Sequence, residues 1–560
     1  MLSQNQQLAA SHLFGPMIVV AGPGSGKTRV LTERVKNLCR VCAPERICVI
    51  TFARKAAEEM RSRFAVMTDE ETAQKVCFGT FHSVFLSWLK RWQVLAPTSI
   101  VKPEEDVESR GNRSNGSAAV FMCSGDEAGL ESTDGKRPKT FGFQDILDMM
   151  ESVVDLYAPW EEYDFFLIDE FQDIDPQQYR IVYHMVGAAE GRSPNLFVVG
   201  DEDQSIYGFR GSAPSLFLRF AEDYPQCKRE DLTVNYRSHP LIVSLSRRLI
   251  EHNLQRFRKE IMADPSRDRF SLTSPVRIKR YFDDRAEVRG IADLIGRETL
   301  FHGAVIQRDT SIAVLSRTHR QGMLVAEALE EAGVAYISPE TWVSEHPQAV
   351  LIKREMNVLM SFILDGGVSD QLFDIFPVLY RAGHRNRIPN GTDLIDGLLR
   401  QETISTEERG ELEELNEVFS TIREMAEAEE RESPKLLRRV LLIVLFRTGY
   451  FSGAMARIKQ NEGSVFDLLR QIKQIFWPSP NPVHLMTMHG AKGLEFDHVY
   501  VTGLTEGSCP REEAEAEGAM EEERRLMYVA MTRAKSRLSL SCYDGLGSVR
   551  SRFLDEMLEE

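Results

Sequence analysis

The sequence predicts an α/β protein built on parallel sheets, and three observations predict it. Short apolar runs alternate with helical stretches, beginning with Met17 to Ala21, Arg29 to Cys39, Ile47 to Thr51 and Arg54 to Phe64. That order implies right-handed crossovers between parallel strands. The first run ends in a glycine-rich turn that opens a helix, Ala21-Gly-Pro-Gly-Ser-Gly-Lys-Thr28. Two later runs, Phe165 to Ile168 and Leu196 to Val199, end in acidic residues or glycine. Strands end this way where loops at the carboxyl edge of a sheet bind ligands.

The rest of the chain extends the pattern. Lys102 to Lys139 is rich in Ser, Gly, Asn, Asp, Glu and Lys and reads as a disordered insertion or linker. Helical spacing resumes over Phe141 to Leu156. A second α/β segment starts near Val276, with a strand expected at Ile312 to Leu315 and a helix at Met323 to Ala332. From about Ile352 to Phe476 the pattern is mostly helical. Leu412, Leu415, Val418 and Ile422 keep one face while acids fill the other. Strands return at Val483 to Thr487, His498 to Thr502 and Leu538 to Ser541. Each sheet is therefore expected to carry an insertion.

Composition bounds the rest. The chain has 560 residues, 42 % hydrophobic and 27 % charged, enough for several ordinary cores. Its 68 basic and 84 acidic residues give a formal net charge of −16, which excludes a histone-like mode of nucleic-acid binding but not a local basic groove. The longest purely apolar run, Val440 to Phe446, is far short of the roughly 20 residues a spanning helix needs. Residues 1–7, Met-Leu-Ser-Gln-Asn-Gln-Gln, show neither a basic nor an apolar leader pattern, so no export signal is expected. With eight cysteines forming no disulfide framework, a cytoplasmic protein without a membrane partner is expected. Cys39 and Cys42 form a lone CxxC and read as buried helix cysteines rather than a metal site.

Three motifs carry chemistry. In the glycine-rich turn (Ala21, Gly22, Pro23, Gly24, Ser25, Gly26) backbone N–H groups can turn inward on phosphates. Lys27 is placed to neutralise the β- and γ-phosphates and Thr28 to ligate Mg²⁺. Asp169 and Glu170 end a strand; Asp169 would hold Mg²⁺ and Glu170 would activate the attacking water. Gly200-Asp-Glu-Asp-Gln-Ser-Ile-Tyr-Gly-Phe-Arg-Gly211 succeeds another strand. Its Gln204 can sense a γ-phosphate or position water, and Tyr207, Phe209 and Arg210 offer faces suited to stacking on bases.

In order, these motifs resemble the UvrD/Rep/PcrA group of superfamily 1 DNA helicases. Further matches are Ile-Thr-Phe-Ala-Arg-Lys-Ala-Ala-Glu-Glu-Met within residues 48–63, Gly79-Thr-Phe-His-Ser83 and Asn235-Tyr-Arg-Ser238. Two more are Met486-Thr-Met-His-Gly-Ala-Lys-Gly-Leu-Glu-Phe496 and Glu523-Arg-Arg-Leu-Met-Tyr-Val-Ala-Met-Thr-Arg-Ala-Lys535. The resemblance implies two RecA-like P-loop NTPase domains with ATP between them, each with a mostly helical insertion. It divides the chain into a first motor domain (1–84 and 143–234) with insertion 85–142. The second motor domain (235–349 and 482–560) holds insertion 350–481.

By resemblance, Gln6 reads the adenine edge, Arg29 and Tyr236 sandwich the ring, and Glu495 lies near the ribose. Arg237 and Arg533 approach the γ-phosphate, a task for which the planar guanidinium fork is suited. Phe52, Thr80, His82, Tyr207, Phe209, Arg210 and His489 match positions where the family touches single-stranded DNA. Stacking plus phosphate contacts tolerate any sequence. Phe209 stands where relatives carry Trp, and Arg54 where they carry Asn. The Gly-Ile-Gly turn used on duplex backbone is missing, with Tyr380 to Pro389 in its place, and the hairpin expected after Leu538 to Cys542 is stubby.

The expected function is an ATP-dependent single-stranded-DNA translocase and helicase of 3′-to-5′ polarity, acting on single strands and single-strand/duplex junctions. Two alternatives stand beside it. One is a protein-displacing translocase that unwinds poorly without an activating partner. The other is a nucleotide-switched DNA-binding subunit.

Overall fold

The computed structural model describes residues 2–95, 100–101, 140–270, 274–305, 310–338, 482–545 and 547–559, with scattered residues between 378 and 420. The expected linker at 102–139, most of the second insertion and the segment 380–389 lie outside the described residues. Two compact units emerge. The first holds residues 1–287, 315–317 and 487–560. The second holds residues 288–314 and 318–486.

In the first unit six parallel strands form one sheet: β1 (Met17–Ala21), β2 (Ile47–Thr51), β3 (Cys77–Thr80), β4 (Phe165–Ile168), β5 (Leu196–Gly200) and β6 (Lys228–Leu232), in the order β3-β2-β4-β5-β1-β6. β1, β2 and β5 are buried throughout because both faces are covered, which is why they read as unbroken apolar runs. Alternate residues serve opposite cores. Ile18 and Val20 pack with Phe85, Trp88 and Phe171, while Met17, Val19 and Ala21 pack with Val30, Leu31, Val35 and Phe64. The chain leaves β1 for β2, which lies beyond β5 and β4, so the glycine-rich turn sits where ligand crevices open in such sheets.

The same unit also carries β7 (Val276–Tyr281). The second unit takes in most of β8 (Ile312–Ser316), β9 (Tyr336–Ile337) and most of β10 (Val483–Thr487). There β9 pairs β10 in parallel, and the helix His319–Glu331 is capped at Thr318 and buries Val325, Ala328 and Leu329. Back in the first unit, β11 (Phe496–Val501) and β7 both pair in parallel with β12 (Ala534–Tyr543).

Most expected strands are present within a residue or two. Three differences are informative. The edge strand β3 and the helix Phe81–Arg91 were not expected; that helix runs through residue 84 and buries Phe85, Trp88 and Leu89 in the first core. The strand expected at Leu538 to Ser541 is longer at both ends. No strand turns back onto β12 among the described residues, so the stubby hairpin is a correction. Arg550 instead bridges Thr505 in antiparallel fashion, and the next element is a helix at Arg552–Glu556. After β12, Asp544 and Gly545 donate their N–H groups to Tyr281 O and Phe282 O at 3.3 and 3.0 Å, which holds the chain against the end of β7. Among the described residues, no helix is long and apolar enough to cross a membrane.

Candidate functional site

All the expected site residues lie in the first unit. Gly24 and Gly26 take φ of +65° and +84°, a region side chains avoid. A Cβ on Gly24 would sit 2.6 Å from Arg237 Cβ, and one on Gly26 2.8 Å from Gln6 Nε2. Ala21 and Gly22 leave the strand, Gly22 donating its N–H to Leu232 O at 3.0 Å. Pro23 and Ser25 are buried in the turn, Ser25 Oγ donating to Gly22 O at 2.8 Å. The helix Lys27–Leu38 starts at once with no side-chain cap, so its first N–H groups, on Lys27, Thr28 and Arg29, have no partner within the helix. Such an end favours an anion.

Gln6 braces this turn. Its Nε2 donates to Ser25 O at 2.8 Å while its Oε1 accepts from Ser3 N at 2.9 Å. One donor and one acceptor site of the amide remain for a base edge. Tyr236 donates its backbone N–H to Gly24 O at 3.0 Å, and Arg29 is exposed. Among the described residues the side chains of Arg29 and Tyr236 make no cation–π contact with each other.

Asp169 and Glu170 come directly after β4. Glu170 takes a left-handed conformation, φ 51° and ψ 42°, which costs a non-glycine residue roughly 1–3 kcal/mol and persists where surroundings dictate it. Here Lys27 Nζ lies 3.6 Å from Glu170 Oε2, and Gln172 Nε2 donates to the same oxygen at 2.6 Å. Burial raises the affinity of both acids for protons. In Asp169 the adjacent Glu170 charge adds to that, so its pKa is raised; in Glu170 the cations of Lys27 and Lys492 outweigh it, so its pKa is lowered. Glu170 is thus held ionised, as a base must be. Asp169 and Thr28 offer hard oxygen donors at the edge of a phosphate loop, a set that fits Mg²⁺ completed by phosphate oxygens and water. No cluster of three His, Cys, Asp or Glu that could hold a metal occurs among the described residues.

Arg533 is buried, yet its acceptors are all neutral: Gln204 Oε1 at 2.8 Å, Val529 O at 2.9 Å, Leu494 O at 3.3 Å and Thr532 Oγ1 at 3.3 Å. Burial, with Arg237 nearby, pushes its pKa down to about 9. A buried cation without a bonded counter-ion suits a site that takes up an anion. Arg237 Nε donates to Glu495 Oε2 at 2.7 Å, and Glu495 also pairs with Lys535 at 3.0 Å. Asn235 Oδ1 accepts from the N–H groups of Arg237 and Ser238, both at 2.8 Å, leaving its buried Nδ2 without a partner.

Five of the seven expected DNA contacts, Phe52, Tyr207, Phe209, Arg210 and His489, form a row, while Thr80 and His82 lie outside these contacts. Phe52 stacks on Tyr207 with ring centroids 6.5 Å apart and planes 8° apart. Tyr207 meets Phe209 edge-on at 6.1 Å, and Phe209 meets His489 edge-on at 5.8 Å. Arg210 lies over the rings of Tyr207 and Phe209, at 5.4 and 5.5 Å. Phe209 is 60 % exposed, so its face is open to a stacking partner. His82 lies 4.5 Å from the Phe143 ring. Burial lowers the pKa of both histidines, that of His489 to about 4 with Arg317 adding to the effect, so both rings are neutral near pH 7. Thr80 caps the helix Phe81–Arg91 through its hydroxyl.

Several residues that shape the site escaped the sequence reading. Lys492 Nζ pairs with Asp173, donates to Gln204 O at 2.7 Å and lies 4.5 Å over the Tyr207 ring. Gln172 Oε1 accepts from Asp201 N at 3.0 Å, tying the two acidic loops together. Lys259 is buried among Asp201, Glu202 and Asp203, at 2.5, 3.0 and 3.2 Å, and Arg256 grips Asp203 with two bonds. Asp201 also accepts from Gln204 Nε2, so Lys259 supports Gln204 through one carboxylate. The only signal was three consecutive acids after a buried strand, which need cations from somewhere.

A glycine-rich phosphate turn, an acidic strand end and a buried arginine define a P-loop NTPase. Residues 2–102 and 139–225 match the UvrD/REP helicase N-terminal domain, and residues 231–342 and 380–545 match the UvrD-like helicase C-terminal domain. The chain therefore belongs to the UvrD-like helicases, with the RecA-like α/β fold of that family. It is 29 % identical to the putative ATP-dependent DNA helicase YjcD of Bacillus subtilis, over 100 % of this chain and 81 % of that protein. It is 26 % identical to the ATP-dependent DNA helicase PcrA of Staphylococcus epidermidis, over 100 % and 86 %. Identity to PcrA of Leuconostoc citreum is 27 %, over 96 % and 81 %.

Lys259→Met should lower the unfolding free energy by about 3–5 kcal/mol, because it strands buried carboxylates. Those acids would then bind protons more tightly in the folded than in the unfolded chain. The deficit is therefore larger at pH 8 than at pH 5. Urea unfolding of both proteins at the two pH values measures it, and equal deficits would mean the acids are not ionised.

Proposed function

We propose that this chain is an ATP-dependent DNA motor that moves along single-stranded DNA with 3′-to-5′ polarity and opens duplex at junctions. The observation that carries the reading is Arg533, buried on Gln204 without a bonded counter-ion. The loop that holds Gln204 also presents Tyr207, Phe209 and Arg210. Polarity rests on the resemblance alone. In this reading residues 1–84 and 143–234 form one motor half, and 235–349 and 482–560 the other, with insertions at 85–142 and 350–481. The cytoplasm is the expected compartment.

The nucleotide's phosphates would lie on the turn Gly22–Gly26 and the helix beginning at Lys27, against the Lys27 side chain. Mg²⁺ held by Thr28 and Asp169 would neutralise charge on the β- and γ-phosphates. Glu170, kept ionised by Lys27 and Lys492, accepts a proton from the attacking water, and Gln204 orients that water or the phosphate. Arg237 and Arg533 stabilise charge that develops on the transferred group. Gln6, Arg29, Tyr236 and Glu495 would hold the base and sugar. Lys492 links this site to the strand track, since it touches Asp173, the Gln204 backbone and the Tyr207 ring.

Lys27→Ala and Glu170→Gln should both abolish DNA-stimulated hydrolysis, while Glu170→Gln still binds ATP. Wild-type turnover in Glu170→Gln would remove Glu170 as the base. Arg533→Ala should lower kcat by about 10²–10³-fold with a much smaller change in ATP affinity, because it acts on transition-state charge. Equal losses in binding and turnover would make it a ground-state contact.

A second reading is favoured by one observation, that no strand returns onto β12 among the described residues. Without a pin at the junction, the motor should strip proteins from single strands well and unwind poorly without a protein partner. Each base-pair step costs about 1.4 kcal/mol to unstack. Streptavidin displacement and single-turnover unwinding of a long 3′-tailed duplex, on one preparation, measure both activities. Fast displacement with little unwinding is expected; efficient unwinding of the long duplex by isolated monomer would exclude this reading.

A further inference from the structure

The ladder between β2 and β3 pairs Cys48 directly with Cys77. Both side chains face the same core, the one that holds Phe85, Trp88 and Tyr163. Paired residues on neighbouring strands lie about 4.8 Å apart. That is inside the roughly 4.4–6.8 Å Cα separation at which a disulfide closes without moving backbone. Cys48 is fully buried, whereas Cys77 is partly exposed on the edge strand of the sheet, where a small oxidant can arrive.

The surroundings are not those of inert core cysteines. Tyr163 belongs to the core against which Cys77 packs and accepts from Trp88 Nε1 at 3.2 Å. Arg91 and Arg61 add positive charge around Cys77. Neither thiol touches the nucleotide site. We propose that Cys48 and Cys77 are a reversible oxidation site, at which a hydroperoxide oxidises Cys77 and the Cys48 thiol resolves the product to an inter-strand disulfide.

The roles follow from the environment. Cys77 is the partly exposed thiol, and the neighbouring Cys48, with Tyr163 and the two arginines, lowers its pKa against burial, while burial raises that of the enclosed Cys48. The thiolate is the nucleophile. Cys77 sulfur attacks one peroxide oxygen; an S–O bond forms, the O–O bond breaks, and hydroxide leaves. Cys48 sulfur then attacks the Cys77 sulfur; the S–S bond forms, the S–O bond breaks, and water leaves with the Cys48 proton. Two electrons pass from the thiol pair to the peroxide, and a dithiol reverses the step. Three residues along, the same ladder pairs Thr51 with Thr80, so the crosslink would staple the strand ends that lead into Phe52 and His82.

The test uses the full chain, reduced, desalted and treated with stoichiometric hydrogen peroxide. The reaction is quenched with N-ethylmaleimide in urea and mapped after trypsin without reductant. Cleavage after Arg46, Arg54, Lys75 and Lys90 puts each thiol alone on its own peptide. The expected product is peptide 47–54 crosslinked to peptide 76–90, lost on adding dithiothreitol. In Cys48→Ser, Cys77 should stop at the sulfenic acid and take about ten-fold more dimedone than in wild type. Recovery of both cysteines as maleimide adducts, or a crosslink at Cys39 and Cys42 instead, would overturn the proposal. The wild-type map decides the matter even where Cys48→Ser folds poorly.

Discussion

Arg533 sets the terms for everything around it. A guanidinium taken out of water and given only neutral acceptors is costly, and the fold must hold it there by other means. It does so by fixing Gln204 from behind: Asp201 binds the amide of Gln204, Lys259 binds Asp201, and the remaining acids of the loop bind Lys259 and Arg256. This balance leaves one positive charge unspent beside the phosphate loop. Neutralising Arg533 within the protein would make a more comfortable fold and remove the reason for an anion to enter.

The same loop explains how hydrolysis and grip can be coupled. Gln204 and Tyr207 are three residues apart, so neither end moves far without the other. Lys492 closes the loop from the opposite side, bound to Asp173 and to the Gln204 carbonyl while covering the Tyr207 ring. Asp173 is buried and its pKa is pushed up to about 6 by that burial, against the pull of Lys492. Changing the charge at Glu170 or on a bound phosphate alters the field at Lys492, and through it the aromatic row.

Much of this was legible in the sequence, for identifiable reasons. β1, β2, β4 and β5 are short apolar runs ending in glycine or acid, and covering both faces of a parallel sheet produces that pattern. The phosphate turn announces itself because only glycine accepts its two left-handed positions. β6 was missed since Lys228–Leu232 is an edge strand with two exposed residues and a polar sequence. The helix Phe81–Arg91 was missed because its apolar face, Phe85, Trp88 and Leu89, falls where an insertion was expected. Lys259 and Gln172 were invisible for another reason. Lys259 acts only on residues more than fifty positions away, and Gln172, beside the acids it bonds, gains its second role by accepting from Asp201, twenty-nine residues on.

In the proposed strand track, the Phe-for-Trp departure at Phe209 bears on unwinding. Base-on-aromatic stacking is worth about 1–3 kcal/mol per base. Opening a base-pair step costs about 1.4 kcal/mol, so grip and duplex are matched in scale. Phe209 meets Tyr207 and His489 edge-on, has Arg210 over its ring and is mostly exposed, so its remaining stacking face is smaller than an indole's. A neutral His489 adds stacking or a hydrogen bond but no charge to hold a phosphate. When the resisting load is a protein on a single strand, every step is taken on unpaired bases and the grip need only exceed friction. When it is a duplex, the grip must exceed the pairing energy at each step. In the proposed motor, a weaker stack would then let the strand slip back before the next base pair opens.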